Sequence, residues 1–206
     1  MDKQLPKGVQ TLPEVALWET VFSVAPLVLV GTREEDGAYD LAPKHLAFPM
    51  SWEGHFGFVC TPRHGTYQNC QREGVFTVSY PRASQVVLAS LTASPRCGID
   101  SGAETAKPIV AAVPTFPAQQ IDGELVSGAY LFLECEVDRI IDGFGDNSLI
   151  CGRIVAAHAS ERAIRHVDVD DQDVIADAPL LVYVSPGRYA RVETTNAFPF
   201  PKDMAH

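Results

Sequence analysis

The chain has 206 residues, of which 46% are hydrophobic and 20% charged, a composition ordinary for a globular protein with a substantial core. Its formal net charge of −10 disfavours nucleic acid as a partner, because affinity for nucleic acid comes mainly from Lys and Arg side chains that neutralise phosphates. No apolar stretch approaches the roughly 20 residues of a membrane span, and the N-terminus lacks the apolar core of a secretory signal. We therefore expect a cytoplasmic protein that neither crosses a membrane nor binds nucleic acid.

The cysteines and histidines show no pattern of metal or disulfide chemistry. The five cysteines include no C-x-x-C pair, and the six histidines lack metal-ligand spacing. Cys60, Cys135 and Cys151 fall in predicted strands, where a free thiol behaves as a small hydrophobe. The motifs of serine hydrolases, zinc proteases, P-loops and dinucleotide folds are also missing from the sequence. The sequence predicts no metal site, and an enzyme of this kind would depend on an organic cofactor.

In chain order, a helix is predicted over residues 11–22 and a buried strand over 27–30. The acidic turn at Asp36-Gly37 predicts a hairpin that returns through Tyr39 and Leu41. Residues 42–45 are predicted to form a loop, irregular at Pro43, because proline fixes its own backbone and lacks an N–H.

A second strand is predicted over residues 56–60, followed by a polar loop, a helix over 65–72 and a strand over 74–80. Residues 84–91 show helical periodicity. Residues 92–117, rich in Pro, Gly and small residues, are predicted to form a long excursion with a short helix. For Arg96 and Lys107 in this excursion, a binding role and mere surface decoration are both open, since long loops often carry function.

The second half of the chain is predicted to contain two hairpins. Residues 129–141 alternate with period two and pair with 148–157 around a turn at 142–147. The polar residues of one face, from Glu134 onward, are expected to meet solvent or a partner subunit. Gly152 predicts a bulge or a close approach by another group. Residues 161–178 are predicted to be a solvated acidic loop that fails the calcium-loop pattern, 180–184 and 189–192 a closing hairpin, and 198–201 an extended tail.

Two polar loops with positive charge follow neighbouring strands of this acidic chain. The first contains Lys44 and His45, and the second contains Arg63, His64 and a hydroxyl at Thr66. Charge-assisted donors, hydroxyls and loop amides are the groups that bind a phosphate. The helix predicted after Arg63 would add the positive end of its dipole. The sequence therefore predicts an anion site between these loops.

These same residues carry a resemblance to a known family. Asp36-Gly37 followed by DLAPKH at residues 40–45 resembles the "DG…NLAPxS" segment of the flavin reductase-like family, and RHGTYQN at 63–69 resembles its "R-K-D-T-x-x-N" segment. LECEV at 133–137 and LICGRIV at 149–155 resemble its "lEC.V" and "i.G.V" strands. Residues 180–192 resemble its closing "Y…g.Y" hairpin. The likeness covers roughly residues 22–192.

The resemblance implies a mainly β fold with peripheral helices, the FMN-binding split β-barrel. It implies one domain over residues 1–206, with a core at about 22–192, an N-terminal helix and an extended C-terminal tail. It also implies a homodimer with the flavin at the subunit interface. The implied activity is that of an FMN-dependent oxidoreductase, a flavin reductase that passes hydride from NAD(P)H to FMN or FAD. The acceptor would be a small molecule or a partner oxygenase.

The resemblance also implies the residues that bind the flavin. The amides of Leu41, Ala42 and Lys44 and the side chain of His45 would meet the ring or ribityl chain. Arg63, His64 and Thr66 would hold the phosphate. For Asn69, support of that phosphate and a purely structural hydrogen bond are both open. The complete set of candidate cofactor-binding residues is Asp40, Leu41, Ala42, Pro43, Lys44, His45, Thr61, Arg63, His64, Thr66 and Asn69.

The sequence departs from the family pattern at several of these positions. His45 stands for the usual Ser, Asp40 for Asn, and His64-Gly65 for Lys-Asp. Asn147 occupies the position before the "i.G.V" strand at which family members often have a His near the nicotinamide. His158 is a possible substitute, although a structural histidine is the preferred interpretation. The Asn147 departure motivates an alternative, a flavin-binding carrier or redox sensor without turnover. A small barrel for a different anionic ligand is a third.

Overall fold

The computed structural model describes residues 5–12, 17–93, 107 and 109–201. Within these residues the chain forms twelve strands, four α-helices and three 3₁₀ turns. The helices are α1 (Leu17–Thr20), α2 (Gly65–Glu73), α3 (Val86–Leu91) and α4 (Asp171–Asp177), and the 3₁₀ turns are Ala83–Gln85, Val110–Ala112 and Glu161–Ala163. The strands are β1 (Ser23–Pro26), β2 (Val28–Arg33), β3 (Tyr39–Lys44), β4 (Ala47–Ser51), β5 (His55–Cys60), β6 (Val75–Tyr80), β7 (Thr115–Pro117), β8 (Glu124–Val126), β9 (Leu131–Phe144), β10 (Asn147–Ala159), β11 (Leu180–Ser185) and β12 (Arg188–Val192).

A seven-stranded antiparallel sheet forms the centre of the fold, in the order β3-β2-β6-β9-β10-β5-β4. Strand β1 joins the β11–β12 hairpin in a separate three-stranded sheet, and β7 pairs with β8. The β7–β8 hairpin is fastened to β6, because Thr77 Oγ1 donates to the carbonyl oxygen of Glu124 and Ser79 Oγ accepts from the amide of Val126. The predicted hairpins β2–β3, β9–β10 and β11–β12 are all present.

The core packs large apolar side chains from the middle strands of the sheet. Phe58 of β5 meets Phe76 of β6 edge to face, with ring centroids 5.2 Å apart. The same Phe76 closes on β10, where a Cβ added to Gly152 would lie 2.5 Å from Phe76 Cζ. The register between β9 and β10 shifts next to Gly152. The sequence prediction of a bulge or a close approach at Gly152 is therefore confirmed on both counts.

Helix α2 is short, and it is defined at both ends. It begins after His64, which has extended backbone angles, and the Gly74 amide ends it by donating to the Cys70 carbonyl oxygen. Gly74 has a φ of 70°, a left-handed conformation that glycine adopts without strain. The helix packs its buried side chains, Thr66, Tyr67, Asn69 and Cys70, against the sheet. The predicted helix over residues 65–72 is confirmed with one residue more.

The prediction of an irregular loop at residues 42–45 was wrong for residues 42–44, including Pro43. Residues 39–44 form β3, in which Pro43 pairs with Leu29 of β2. Strand β3 lies at the edge of the seven-stranded sheet, where only one side of a strand makes ladder hydrogen bonds and a proline is tolerated. Position in a sheet is a tertiary property, which the local proline rule does not include.

Three further boundaries differ from the sequence prediction. The turn predicted at residues 142–147 is shorter, because β9 continues through Phe144 and β10 begins at Asn147. Residues 171–177 of the predicted acidic loop form α4, whose amide at Gln172 is capped by the side chain of Asp170. Of the helix predicted over residues 11–22, residues 17–20 form α1, and residues 13–16 lie outside the described part. The described residues 11, 12, 21 and 22 are not helical. Strand β1, which was not predicted, follows α1.

The prediction that Glu134 faces solvent or a partner was also wrong. Its carboxylate is completely buried, and it accepts hydrogen bonds from the backbone amides of Gln119, Gln120 and Ile121 and from His158. Burial opposes ionisation of Glu134, but these hydrogen bonds bring its pKa below the ordinary value. His158, 2.9 Å from Glu134 Oε1, is thus the structural histidine that was preferred. No helix in the described segments combines the length and apolarity needed to cross a membrane.

Candidate functional site

A cavity of about 450 Å³ opens between the edge of the large sheet and the small three-stranded sheet. Its lining comes from β3, the N-terminus of α2, one side of α3, the β11–β12 hairpin and Lys107. The volume falls in the range of small-molecule sites. Its described lining residues include three side chains with fixed positive charge, Lys44, Lys107 and Arg188, and two histidines, His45 and His64. Asp40 is the one acidic residue among them.

Seven of the eleven candidate binding residues from the sequence line this cavity: Asp40, Ala42, Pro43, Lys44, His45, His64 and Thr66. The other four do not. Leu41 is buried in an apolar cluster, and Asn69 Nδ2 donates to Thr32 Oγ1 at 3.0 Å inside the protein. Arg63 is 78% exposed and lies 3.7 Å from Asp146. The hydroxyl of Thr61 is buried next to this region and has no hydrogen-bond partner among the described residues.

The N-terminus of α2 is directed at the cavity. Gly65 and Thr66, in its first turn, both line the cavity, and His64 precedes them without a side-chain hydrogen bond that caps the helix. Amides of a first helical turn have no acceptor within their helix, and the helix dipole adds positive potential there. The Thr61 hydroxyl on the same loop has no hydrogen-bond partner among the described residues, and together with it this end of the cavity offers donors to an anion.

Lys44, Cys60 and His64 form a polar cluster below this helix end. Lys44 Nζ lies 3.4 Å from the sulfur of Cys60, and His64 Nδ1 lies 3.9 Å from the same sulfur. Burial lowers the pKa of His64, and the positive charges of Lys44, Lys107 and Arg63 lower it further. His64 is therefore neutral near pH 7 until a negative charge arrives beside it.

The buried position of Lys107 contradicts the interpretation of this residue as surface decoration. Its ammonium lies 2.9 Å from Asp40 Oδ1 and 3.0 Å from the carbonyl oxygen of Leu41, and both members of the ion pair are buried. Arg96, the other cation of that excursion, lies outside the described residues. The Asp40–Lys107 pair is neutral as a unit, so Lys44 and Arg188 give the described lining an excess of positive charge.

The β11–β12 hairpin completes the lining of the cavity and contacts the residue that follows β3. The ring of His45 stacks on Tyr183 with centroids 4.5 Å apart, and the hydroxyl of Tyr183 accepts from the amide of Gly187. Arg188 and Tyr189 continue the lining. Burial, and then the charge of Lys44, lower the pKa of His45, so this stack contains a neutral imidazole at pH 7. Sequence reasoning predicted the hairpin but assigned none of its residues to the site.

Asn147, the residue in place of the family His, lies away from the cavity lining. It is exposed at the start of β10, next to Asp146, the carboxylate that lies near Arg63. The four described cysteines, Cys60, Cys70, Cys135 and Cys151, are buried free thiols. In the described part of the chain, no group of three or more His, Cys, Asp or Glu side chains could hold a metal ion.

The fold agrees with comparisons to known proteins. Residues 23–192 match the family model described as the flavin reductase like domain, and the chain therefore belongs to this family. The predictions of a mainly β split barrel and of a flavin reductase-type oxidoreductase are confirmed at this level. No curated protein matches the chain significantly.

Three solved structures share the fold of this chain but have low sequence identity to it. Nitrilotriacetate monooxygenase component B from Bacillus cereus is 17% identical, with a TM-score of 0.74 over 95% of this chain and 98% of that chain. Flavoredoxin from Methanosarcina acetivorans is 19% identical, with a TM-score of 0.73 over 96% and 97%. The NADH:FAD oxidoreductase of Streptomyces globisporus C-1027 is 17% identical, with a TM-score of 0.63 over 82% and 87%. These likenesses establish the fold.

Proposed function

We propose that this protein is an FMN-dependent oxidoreductase that accepts hydride from NADH or NADPH and delivers reducing equivalents to a small molecule or a partner oxygenase. The observation that carries the proposal is the excess of positive charge in a half-enclosed cavity of an otherwise acidic protein. A flavin phosphate supplies the missing negative charge. The bound flavin would supply the redox chemistry, and the protein would bind it, orient it and tune its surroundings.

The end of the cavity at α2 suits the phosphate. Lys44 and His64 give charge-assisted donors there, and the first-turn residues Gly65 and Thr66 give amides and a hydroxyl. The buried Thr61 hydroxyl gains an acceptor if the phosphate, or a water held by it, reaches this loop. Arg63, the residue that the resemblance assigns to the phosphate, is exposed beside Asp146, so we give it a smaller role than Lys44.

The rest of the lining suits the aromatic ring. Leu27, Ala42, Pro43 and Val86 are apolar, and Tyr183 contributes a flat aromatic surface. The cavity has a charged end and an apolar remainder, which is the distribution of polarity in FMN. FAD remains a second possible cofactor, since one structure of the same fold is an NADH:FAD oxidoreductase.

The proposed reductant and partner rest on family membership and on the names of relatives. The NADH:FAD oxidoreductase supports a nicotinamide as the hydride donor, and the monooxygenase component B supports an oxygenase as a recipient of reduced flavin. The name of the third structure, flavoredoxin, does not mention an oxygenase and so gives no support for that partner.

We also propose that two copies of the chain associate through an apolar surface on β1 and β4. This β1–β4 face consists of Phe22, Val24, Phe48, Met50 and Trp52, all exposed, with Trp52 96% exposed. Strand β4 ends the large sheet, β1 ends the small one, and the two strands contact each other. Exposed apolar edge strands normally find cover. Sedimentation should give a dimer, and Phe48→Glu should shift it toward monomer.

A flavin-binding carrier or sensor is a second candidate, favoured by the exposed position of Asn147 outside the cavity lining. The visible absorption spectrum of the flavin distinguishes the reductase from the carrier or sensor. The purified protein, supplied with FMN if colourless, is mixed anaerobically with NADH and then with NADPH. Bleaching of the flavin band at a rate above that of free FMN supports the reductase. A bound flavin band that persists with both nucleotides supports the carrier, and no binding of FMN or FAD would refute the flavin site.

A further inference from the structure

Cys60 contacts both basic side chains at the α2 end of the cavity. It is the last residue of β5 and is 3% exposed. Its sulfur lies 3.4 Å from Lys44 Nζ and 3.9 Å from His64 Nδ1. Lys44 and His64 line the cavity, whereas Cys60 does not. The sulfur therefore connects two groups of the lining from a buried position outside it.

These contacts distinguish Cys60 from the other described cysteines. Cys70, Cys135 and Cys151 are also buried free thiols, but none of the three has a hydrogen bond to its sulfur within the described residues. For those three cysteines the role of a small hydrophobe is sufficient. For Cys60 it leaves two polar contacts at the candidate site unexplained.

The chemistry of the three groups gives a direction to each hydrogen bond. An ammonium has donors and no acceptor, so Lys44 donates to the sulfur. Burial, and then the neighbouring cations, lower the pKa of His64, so its imidazole is neutral and one ring nitrogen accepts. If the thiol S–H donates to Nδ1, every polar atom of the chain has a partner, and the ring proton of His64 is fixed on Nε2.

We propose that Cys60 is a positioning residue of the candidate site: its thiol holds Lys44 Nζ in place and fixes the His64 tautomer, so that both side chains present N–H donors to the phosphate of a flavin. The inference rests on the proposed function in taking that phosphate as the ligand group. Lys44 keeps two further N–H donors for the phosphate. A side chain that the protein already holds loses less conformational freedom when the ligand binds.

A thiol that only fills space makes a different prediction. In that case Cys60→Ser, which places a more polar hydroxyl in the same volume, should do at least as much harm as Cys60→Ala, and FMN and riboflavin should respond alike. In the positioning role the order of the two variants is reversed. Serine retains one donor and one acceptor, alanine retains neither, and only the ligand with a phosphate should detect the loss.

The experiment measures dissociation constants for FMN and riboflavin by flavin fluorescence in the wild type, Cys60→Ser, Cys60→Ala and Cys151→Ala. Cys151 is the matched control, because it is 4% exposed and its thiol makes no described hydrogen bond. We expect Cys60→Ala to weaken FMN binding about fivefold, as for loss of one hydrogen bond, and Cys60→Ser to stay within about twofold of wild type. Riboflavin, and both flavins in Cys151→Ala, should change less than about twofold. Urea unfolding checks that each apoprotein is folded.

A second readout needs no flavin. The ¹⁵N chemical shifts of the His64 imidazole, assigned by comparison with His64→Gln, report which ring nitrogen carries the proton. In the wild-type apoprotein at pH 8 we expect a bare Nδ1 and a protonated Nε2, and in Cys60→Ala a larger fraction with the proton on Nδ1. The wild-type spectrum decides this point even if Cys60→Ala does not fold.

Three results would overturn the inference: a proton on Nδ1 of the neutral His64 in the wild type, an equal loss of affinity for both flavins in Cys60→Ala, or a loss in Cys60→Ser as large as in Cys60→Ala. Failure of the wild type to bind either flavin would instead refute the proposed function. The ¹⁵N spectrum would still report the hydrogen bond between Cys60 and His64, so the two failures are distinguishable.

Discussion

Among the described residues two carboxylates, those of Glu134 and Asp40, are buried, and each is stabilised by a different kind of partner. Glu134 accepts hydrogen bonds from three consecutive backbone amides and from His158, at distances from 2.6 to 3.3 Å. Asp40 is paired instead with the side chain of Lys107, at the wall of a cavity that also holds Lys44, His64 and Arg188. One carboxylate is stabilised mainly by dipoles of a folded loop, and the other by a full opposite charge.

The comparison distinguishes a buried carboxylate that only the protein's own groups surround from one that lies in the wall of the candidate site. Around Glu134 every donor is directed at a carboxylate that the chain itself provides, so the region needs no ligand. Around Asp40 the described cations outnumber the described acids, His64 gives the first turn of α2 no side-chain cap, and the Thr61 hydroxyl has no hydrogen-bond partner among the described residues. Under the proposed function, the phosphate of a bound flavin would supply an anion to the second region.

The largest effect should come from Glu134. In Glu134→Gln the new amide group would place its own N–H donors among backbone N–H donors, which leaves buried groups unsatisfied. We expect a loss of about 3 kcal/mol or more in the free energy of unfolding, measured by urea denaturation. Glu136→Gln, a change in an exposed ion pair with Arg153, is the matched control and should cost at most about 0.5 kcal/mol. Equal stability of the two variants would contradict the structural role of Glu134.

The next largest effect concerns the phosphate. Lys44→Met should weaken FMN binding by about 10- to 100-fold, as expected for loss of a charge-assisted hydrogen bond of about 1.5–3 kcal/mol. Arg63→Met, which changes an exposed residue, should weaken it by no more than about threefold. Isothermal titration of both variants tests the order. A larger loss in Arg63→Met would return the phosphate to the residue that the resemblance names.

A smaller effect is a pH dependence of FMN binding. The pKa of His64 is lowered in the free protein by burial and by neighbouring cations, so the imidazole is neutral at pH 7. A nearby phosphate favours the imidazolium and raises that pKa, so binding takes up a proton. Affinity for FMN should therefore rise as the pH falls from 8 to 6.5, by about threefold, within the limit of tenfold per pH unit for one proton. The dependence should be weaker in His64→Gln, and a wild-type affinity that falls over this range would contradict the assignment.

The smallest effect should come from the stacked rings of His45 and Tyr183 at the cavity. His45→Ser restores the residue usual in the family and removes the contact with Tyr183. Aromatic stacking contributes about 0.5–1.5 kcal/mol, so the free energy of unfolding should fall by about 1 kcal/mol. Riboflavin and FMN affinities should change together, because the stack carries no charge at neutral pH. A change confined to FMN would place His45 at the phosphate.

The elements that local patterns determine could be predicted from the sequence. Period-two alternation predicted β9 and β10, and the Pro186-Gly187 turn between apolar runs predicted β11 and β12. The segments that contain Lys44 and His64 were predicted to form one anion site, and residues of both segments line one cavity. What the sequence did not reveal depends on contacts between distant segments. Glu134 is buried by a loop at residues 119–121, and Lys107 reaches Asp40 across 67 positions.

The most direct test of the account is a comparison of FMN and riboflavin binding to the wild-type protein under identical conditions. The two ligands share their ring and ribityl chain and differ in the phosphate. The account predicts that FMN binds at least about tenfold more tightly, and that the difference shrinks as salt is added. Equal affinities would contradict the claim that the positive charges of this cavity await a phosphate.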